Sequence, residues 1–502
     1  MMVALLGVLL LTGLAAGFML VVPTDLAAAT KNRIDTEASL AADAGVRDSM
    51  AWIAHTLANA GEPCNTVTPS PVRTGSLGNW DWSCQIEADP QTPPNGIDTI
   101  RLYRLTSRAS RDGGDRWQIV AWVQAGQSFA EFGEFTDLSS GGLWDVVIGQ
   151  GWKSEGPVHH NGVLRMYISQ SYFTGPAPAT PAIDGRITSS GVDASSPDGI
   201  HYYSSSNAPY SYGDGYDRLV TGGLSEVQAG VAPIPMPTSA IAQASAAWGG
   251  NPPPAPPAGV TVNPAGGVFI DGDVDAMTMN VNGSGNFVLT IVQAGQTTTV
   301  EEDSVSSTRI VTPPSGAPVT VPGMGTGVIF SNGNIASFSG TNKNAHTVAV
   351  DHAALKNIVI TGDILRADTP DGSKPTSTSD RLGIVANRVE ITGNTALIPR
   401  NSTDPLSLYA TIMARDRLSV QNATTSAPGR MAIYGGISSG HTPDYNLFNP
   451  ADGTTLAGMG GLNGYGTPNI IYDATLANEP PPRFPTTAGS DLSIRYWHEA
   501  PL

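Results

Sequence analysis

Charge is the scarcest feature of this sequence. Only 14% of its 502 residues are Asp, Glu, Lys or Arg, against about 25% in ordinary soluble domains. Basic residues are scarcer still: 26 Lys and Arg face 43 Asp and Glu, for a net charge of −17. Binding to a phosphate backbone needs clustered Lys and Arg, so nucleic acid is excluded as an expected partner. Cysteine is nearly absent. Cys64 and Cys84 are the two present, and in an exported protein they would close a loop of about 20 residues, stabilising by about 3 kcal/mol. In a reducing compartment they would be two free thiols. A metal site is not suggested, because further ligands at suitable spacing do not stand nearby. Catalytic signatures are missing too: no Gly-x-Ser-x-Gly elbow, P-loop or dinucleotide fingerprint stands in the right context. The expectation is a chain that is not an enzyme and needs no cofactor.

What is abundant is Gly (57) and Pro (39), with frequent Ser, Thr and Asn. That mixture disfavours long soluble helices and favours short strands joined by turns, as in extracellular β proteins. The length is enough for two or three domains.

The N-terminus departs from this pattern. Met1 to Thr24 carries no charge and is long enough to cross a bilayer as a helix. A secretory signal or a signal anchor should carry Lys or Arg before its apolar core, and nothing precedes this one. Removal of a short basic leader, leaving Met1 as the mature N-terminus, explains the missing charge. From Asp25 to about Asn59 the pattern stays helical, Ala-rich and amphipathic, with Leu26, Ile34, Leu40, Val46, Met50 and Ile53 forming an apolar stripe. Gly61, Glu62 and Pro63 end it. The whole reads as one helix of about 60 residues, or roughly 90 Å at the standard rise per residue.

This N-terminal helix, with its Thr36-Glu-Ala-Ser-Leu-Ala-Ala-Asp-Ala-Gly-Val-Arg47 stretch, resembles the type IV pilin-like class, and in particular its large minor-pilin-like members. Body motifs add to the likeness: Gly156-Pro-Val-His-His-Asn-Gly-Val-Leu164, Arg381-Leu-Gly-Ile-Val-Ala386, Tyr434-Gly-Gly-Ile437, and Ile471-Tyr-Asp473 before Pro480-Pro-Pro-Arg-Phe-Pro485. They look like an uncharacterised domain found in such proteins. The resemblance implies an inner-membrane-inserted precursor, processing by a prepilin peptidase, extraction by pilus assembly machinery, and display on an extracellular surface filament. It implies self-association in a homopolymer, other pilins as further partners, and a filament core built from Met1, Leu5, Leu9, Gly13, Gly17, Val21 and Pro23. Gly13, Gly17 and Pro23 resemble positions where pilin helices melt in filaments. Most pilins carry Glu at the fifth mature residue; this chain has Leu5, which leans toward a minor or tip subunit or toward a filament held by other contacts.

Four regions are expected: the helix at 1–60, a small β head at 61–150 stapled by Cys64 and Cys84, a β and loop region with a Pro/Tyr/Ser/Gly-rich linker at 151–259, and a body at 260–502. The best head strands are Thr99–Leu105 and Trp117–Val123, both alternating. In the linker, Pro233–Pro237 and Pro252–Pro257 should be extended, and Tyr202, Tyr203, Tyr210, Tyr212 and Tyr216 cluster. Exposed Tyr would suit a glycan or a partner; loop packing is the plainer reading.

From Val260 on, short Val/Ile runs closed by Gly, Asn or Asp recur at irregular spacing, as in Gly267–Asp273, Asn357–Leu365, Arg388–Gly393 and Arg417–Asn422. They predict a parallel β-solenoid, with a two-sheet sandwich as the alternative. The expected fold class is therefore α+β, mostly β: a pilin-like helix, a small sheet head and a β-solenoid-like body. Asp271, Asp273 and Asp275 resemble a calcium-loop fragment but lack the bidentate Glu, so a turn is favoured. His159 and His160 are neighbours on a strand and should point to opposite faces, against a shared metal. Asn401-Ser-Thr403 is a glycosylation sequon.

The expected function is a structural filament subunit of the type IV pilus kind. Two alternatives stand beside it: a low-copy tip adhesin on the same anchor, and a membrane-anchored β-helix enzyme acting on polysaccharide, which would leave little local trace in sequence.

Overall fold

The computed structural model describes residues 29–56, 71–88, 101–126, 128–137, 153–167, 183–192, 201–203, 220–377, 379–392, 405–421, 430–441, 443, 469–477, 479–487 and 492–502. By its contacts the chain divides into two units, one holding residues 1–94, 101–125 and 489–502, the other residues 95–100 and 126–488.

The first unit is a helix on an antiparallel sheet. Residues 29–56 are helical throughout (α1). The strands β1 (Val72–Leu77), β2 (Trp80–Ala88), β3 (Arg101–Arg111) and β4 (Gly114–Ala125) lie side by side in chain order. In their register Trp82 faces Ala109 and Leu105 faces Ala121, with one shift between Ala109 and Ser110 where β3 nears its turn. Asp112 (φ 55°) and Gly113 (φ 78°) turn β3 into β4, the pair of positive φ values that a two-residue hairpin requires. The sheet is completed by Leu492–Pro501, paired antiparallel to β4. The second unit is thus inserted between β4 and the strand that neighbours it.

The second unit holds a 23-stranded mixed sheet and, among the described residues, a separate two-stranded one. Much of it is parallel, between strands that are not consecutive. One ladder joins Val268–Asp271, Val328–Ser331, His346–Val350, the first half of Leu382–Thr392, the first half of Thr411–Gln421, Ile437–Ser439, Glu134–Thr136, Val158–His160, Ile187–Ser189 and Val227–Ala229. A second contains Ala276–Val281, Ile335–Asn342, Asn357–Arg366 and the later halves of the two long strands. A third contains Leu406–Leu408, Met431–Tyr434, Asn469–Ile471, Lys153–Glu155 and Ile183–Asp184. Their inward side chains, among them Ile329, Val348, Ile384, Ile412, Ile437 and Ile470, form one apolar core. At a corner, the Asn334 side-chain oxygen accepts from Asn357 N at 3.0 Å, and that of Asn357 accepts from Arg388 N at 3.1 Å. Asparagine suits the position because its amide satisfies backbone donors that the ladder leaves turned aside.

This corrects the expected fold class. The described residues form large mixed sheets, and no uniform parallel β-solenoid spans 260–502. Strands from 134 to 229 share the same sheet, and Leu492–Pro501 belongs to the other unit. From Ala276 to Pro322 the chain runs as an antiparallel series of five strands, Ala276–Val281, Phe287–Gln293, Gln296–Asp303, Thr308–Thr312 and Val319–Pro322. One of their turns is Ala294-Gly295 (φ 48° and 73°), where the usual hairpin signal in a sequence is Asn-Gly or Asp-Gly.

The outward side of the first ladder is covered as well. Phe135, Phe269, Phe330, Ala349, Val385 and Met413 pack with Phe129, Phe132, Met236, Phe484 and the helix α2 (Ile241–Trp248), which ends at Gly249 in the left-handed region. The Pro-Pro-Pro-Arg-Phe-Pro motif takes part: Gln243 Nε2 donates to Arg483 O at 2.7 Å, and Phe129 N donates to Pro485 O at 3.0 Å.

Candidate functional site

The element that carries the expected assembly chemistry is α1. Its composition explains its helicity. Alanine recurs through it, the ion pairs Arg33–Glu37 (3.5 Å) and Arg47–Asp43 (2.7 Å) sit at i,i+4 spacing, and Thr36 and Thr56 bond back to Asn32 O and Trp52 O. The buried stripe is Ala38, Ala41, Ala42, Val46 and Ile53, packed on Trp80, Trp82, Cys84, Ile86, Tyr103 and Leu105 of the sheet. Ile34 and Met50 flank it as expected. Leu40 does not belong to it: it is 54% exposed, at about 180° from the centre of the stripe given 100° per residue. Leu26 lies outside the described residues.

Small residues let helix and sheet approach closely. A Cβ on Gly45 would overlap Ser107 Oγ and stand 2.9 Å from Trp82 Cε3. Polar contacts then fix the helix: Arg73 donates to Asp48 Oδ2 from Nε (3.0 Å) and Nη2 (2.8 Å), Ser39 Oγ donates to Glu499 Oε2 (3.2 Å), and Trp80 Nε1 reaches Glu37 Oε2 (3.4 Å). The Arg73 guanidinium also lies over the Trp52 ring at 5.9 Å. Gly45→Val should therefore lower the stability of this unit by about 1–3 kcal/mol by forcing the helix off the sheet. Hydrogen exchange of the β2 and β3 amides, compared with wild type, measures it.

Cys84 is fully buried beneath α1 and is a free thiol, pushed up to about 11 chiefly by burial. The structure contains no Cys64–Cys84 disulfide, so that expectation is corrected; Cys64 itself lies outside the described residues. Burial outweighs the hydroxyls of Ser49 and Ser107 beside it and favours the protonated thiol over the nucleophilic thiolate. Met1, Leu5, Leu9, Gly13, Gly17, Val21 and Pro23 also lie outside the described residues, and among the described ones no helix is long and apolar enough to cross a membrane.

The other singled-out residues are placed as follows. Asp271 Oδ1 accepts from Asn332 Nδ2 (2.5 Å), Asp273 Oδ1 from Asn334 N (2.7 Å), and Asp275 Oδ2 from Gly295 N (3.2 Å). Each carboxylate is engaged by its own donor, as in turns. His159 and His160 do point apart. His159 faces outward, stacked on Phe135 with centroids 5.4 Å apart and bonded to Thr188 Oγ1 (2.8 Å) and Asn161 Oδ1 (2.9 Å); burial pulls its pKa down. His160 shares the inward position of Thr136 and Ser189. Among the described residues no group of three or more His, Cys, Asp or Glu side chains converges to hold a metal ion. Within the Pro-rich stretch, both backbone groups of Ile234 are held by the Asn161 amide (2.5 and 2.7 Å). Tyr202 and Tyr203 lie in a short strand paired with Arg165–Tyr167; Tyr210, Tyr212, Tyr216 and Asn401 are outside the described residues.

Sequence reasoning missed Gly45, Arg309, Arg366 and Glu134. Of these, only Gly45 had a local signal, as a glycine within an Ala-rich helical stretch.

No family model and no curated protein matches the chain. Among solved structures, the crystal structure of the competence-associated pilin ComZ from Thermus thermophilus matches over 93% of this chain and 98% of that one, at 10% identity and a TM-score of 0.24. The chain is thus weakly similar to a pilin structure, and a TM-score of that size carries no argument about its fold or role.

Proposed function

We propose that the chain is a structural subunit of an extracellular type IV pilus-like filament, assembled through its N-terminal helix with copies of itself and other pilins. The observation that carries this reading is the two-sidedness of α1. It follows an uncharged run of 24 residues, lays Ala38, Ala42, Val46 and Ile53 on an antiparallel sheet, and keeps Leu40 exposed on the opposite side. In the proposed assembly the inner face of the helix serves the sheet and the outer face, with Leu40, meets a neighbouring subunit. The proposed role is packing: the Met1–Val22 run leaves the bilayer and bundles with its equivalents, with burial stabilising by about 25 cal/mol per Å² of apolar surface once outside lipid. It requires no catalytic residue and no cofactor. The inner membrane holds the chain before assembly, and the cell surface displays it afterwards.

A second reading, a low-copy tip subunit that acts as an adhesin, is favoured by Leu5 in the place where most pilins carry Glu. Copy number separates the two.

The test is electron microscopy of sheared surface filaments with mass spectrometry of their subunits. The main reading expects this chain as a principal component with its N-terminus at or beside Met1. Leu40→Glu should reduce its incorporation at least tenfold while leaving the exchange protection of β2 and β3 unchanged. Trace amounts would move the tip reading ahead, and complete absence from filaments would sink both.

A further inference from the structure

Independently of any filament role, the first and third ladders meet an anomaly inside the second unit. At one inward position of the first ladder, successive strands contribute Ile412, Ile437, Glu134, Val158 and Ile187. A carboxyl therefore stands in a column otherwise made of Ile and Val. Two residues along the same strands, the inward column is Ala414, Ser439, Thr136, His160 and Ser189. The third ladder changes in the same way, with Ser154 between Ile470 and Ile183.

All of these polar residues are enclosed. Glu134 is 4% exposed, Ser154 1%, and Thr136 and Ser439 0%. Glu134 Oε2, Thr136 Oγ1, Ser154 Oγ and Ser439 Oγ have no hydrogen-bond partner. Native cores leave few such atoms unsatisfied, and here four belong to neighbouring strands facing one interior. Volume points the same way. Ser154 puts a short hydroxyl side chain where its column otherwise carries Ile470 and Ile183, and a buried water needs that combination of space and two to four polar partners.

We propose that this part of the core is a hydration site, where ordered water bridges the Glu134 carboxyl to the hydroxyls of Thr136, Ser154 and Ser439. Among the described residues of these columns, His160, diagonal to Glu134 on the adjacent strand, is a second titratable group on the inward side. Burial raises the Glu134 carboxyl to about 8, so at neutral pH it carries a proton that it donates to the bound water.

The experiment is a structure of the full chain at about 1.8 Å, joined to thermal unfolding of wild type, Glu134→Gln and Glu134→Ile at pH 6. Expected are waters within hydrogen-bond distance of at least two of the four atoms. Glu134→Gln, which keeps a donor and an acceptor, should shift Tm by less than about 2 °C, whereas Glu134→Ile should lower it by about 4 °C or more by leaving three hydroxyls without bridging water. A dry site, a metal cation identified by anomalous scattering, or a Tm that stays level or rises in Glu134→Ile each overturns the proposal. In a dry core, isoleucine simply continues the column and removes an unpaired carboxyl.

Discussion

Arg366→Ala should destabilise the second unit by about 3–5 kcal/mol, because it leaves a buried carboxylate without its cation. Arg366 ends the strand Asn357–Arg366 with its side chain only 4% exposed. Its Nε and Nη2 donate to the two oxygens of Asp368 at 2.9 and 3.0 Å, its Nη1 donates to Asp473 Oδ2 at 3.0 Å, and Nη2 also reaches Ser377 O at 2.6 Å. Asp473, 2% exposed, takes further bonds from Thr475 N (3.0 Å) and Oγ1 (2.6 Å) and stays behind in the variant. Arg366→Lys should recover only part of the loss, since an ammonium keeps the charge but cannot fork between two carboxylates. The dependence on pH has a definite sign. Burial pushes the Asp368 carboxyl up, but bonds from Arg366, Thr369 and Ser379 and the charge of Arg366 outweigh it and hold the carboxyl well below the ordinary range. A carboxylate with a lowered pKa contributes its stability above the ordinary value and loses it as pH falls through the lowered one. Urea unfolding should therefore show the gap between wild type and Arg366→Ala at pH 7 and a narrower gap near pH 2. An equal gap at both values would mean that packing, not charge, carries the effect.

The second large effect is expected at Arg309, on the strand Thr308–Thr312 and 1% exposed. Its guanidinium serves carbonyls almost exclusively: Nε donates to Gly323 O (3.0 Å), Nη1 to Gly266 O (2.9 Å) and Gly267 O (3.1 Å), and Nη2 to Asn263 O (2.7 Å) and Pro264 O (3.3 Å). It is the donor set for a loop whose carbonyls turn inward. It is also the cation near Glu302, which His346 and Asn344 contact at 3.2 and 3.1 Å. Arg309→Met fills similar volume but donates nothing. About 3 kcal/mol or more should be lost, with the buried Gly266 and Gly267 carbonyls left without their donor and Glu302 deprived of a neighbouring positive charge. Protease sensitivity of the 259–267 segment, followed with global unfolding, reads this directly. If the segment stays protected and the midpoint moves by less than about 1 °C, the carbonyls find other donors and the hub reading fails.

Local pattern revealed the elements better than their partners. The Ala-rich periodicity after Asp25 announced α1, and the run Asn357–Leu365 became the strand Asn357–Arg366. Leu40 was misplaced because a large apolar residue looks like core, whereas close packing on Trp82 selects alanine and glycine at the contact. The pairing of Ile437–Ser439 with Glu134–Thr136 spans about three hundred residues, and no local signal encodes a parallel register over that distance. Arg309 and Glu134 were invisible for a related reason. Each is the single charged residue of a short strand, and only the folded environment distinguishes a donor hub or a buried carboxyl from a solvated side chain. The cysteine expectation failed differently: proximity in sequence suggested a pair, but Cys84 faces the underside of α1, where burial and the adjoining Ser49 and Ser107 surround it.

The place of Leu492–Pro501 beside β4 sets an order of events for a chain made from its N-terminus. α1 and β1 to β4 are synthesised early, yet the outer edge of β4 stays uncovered until every residue of the inserted unit has been produced and the last strand arrives. A chain interrupted anywhere in residues 126–488 keeps the entire helix and lacks that edge strand. Completion of the smaller unit is in this sense a length check on the larger one, made by the backbone hydrogen bonds of a single strand.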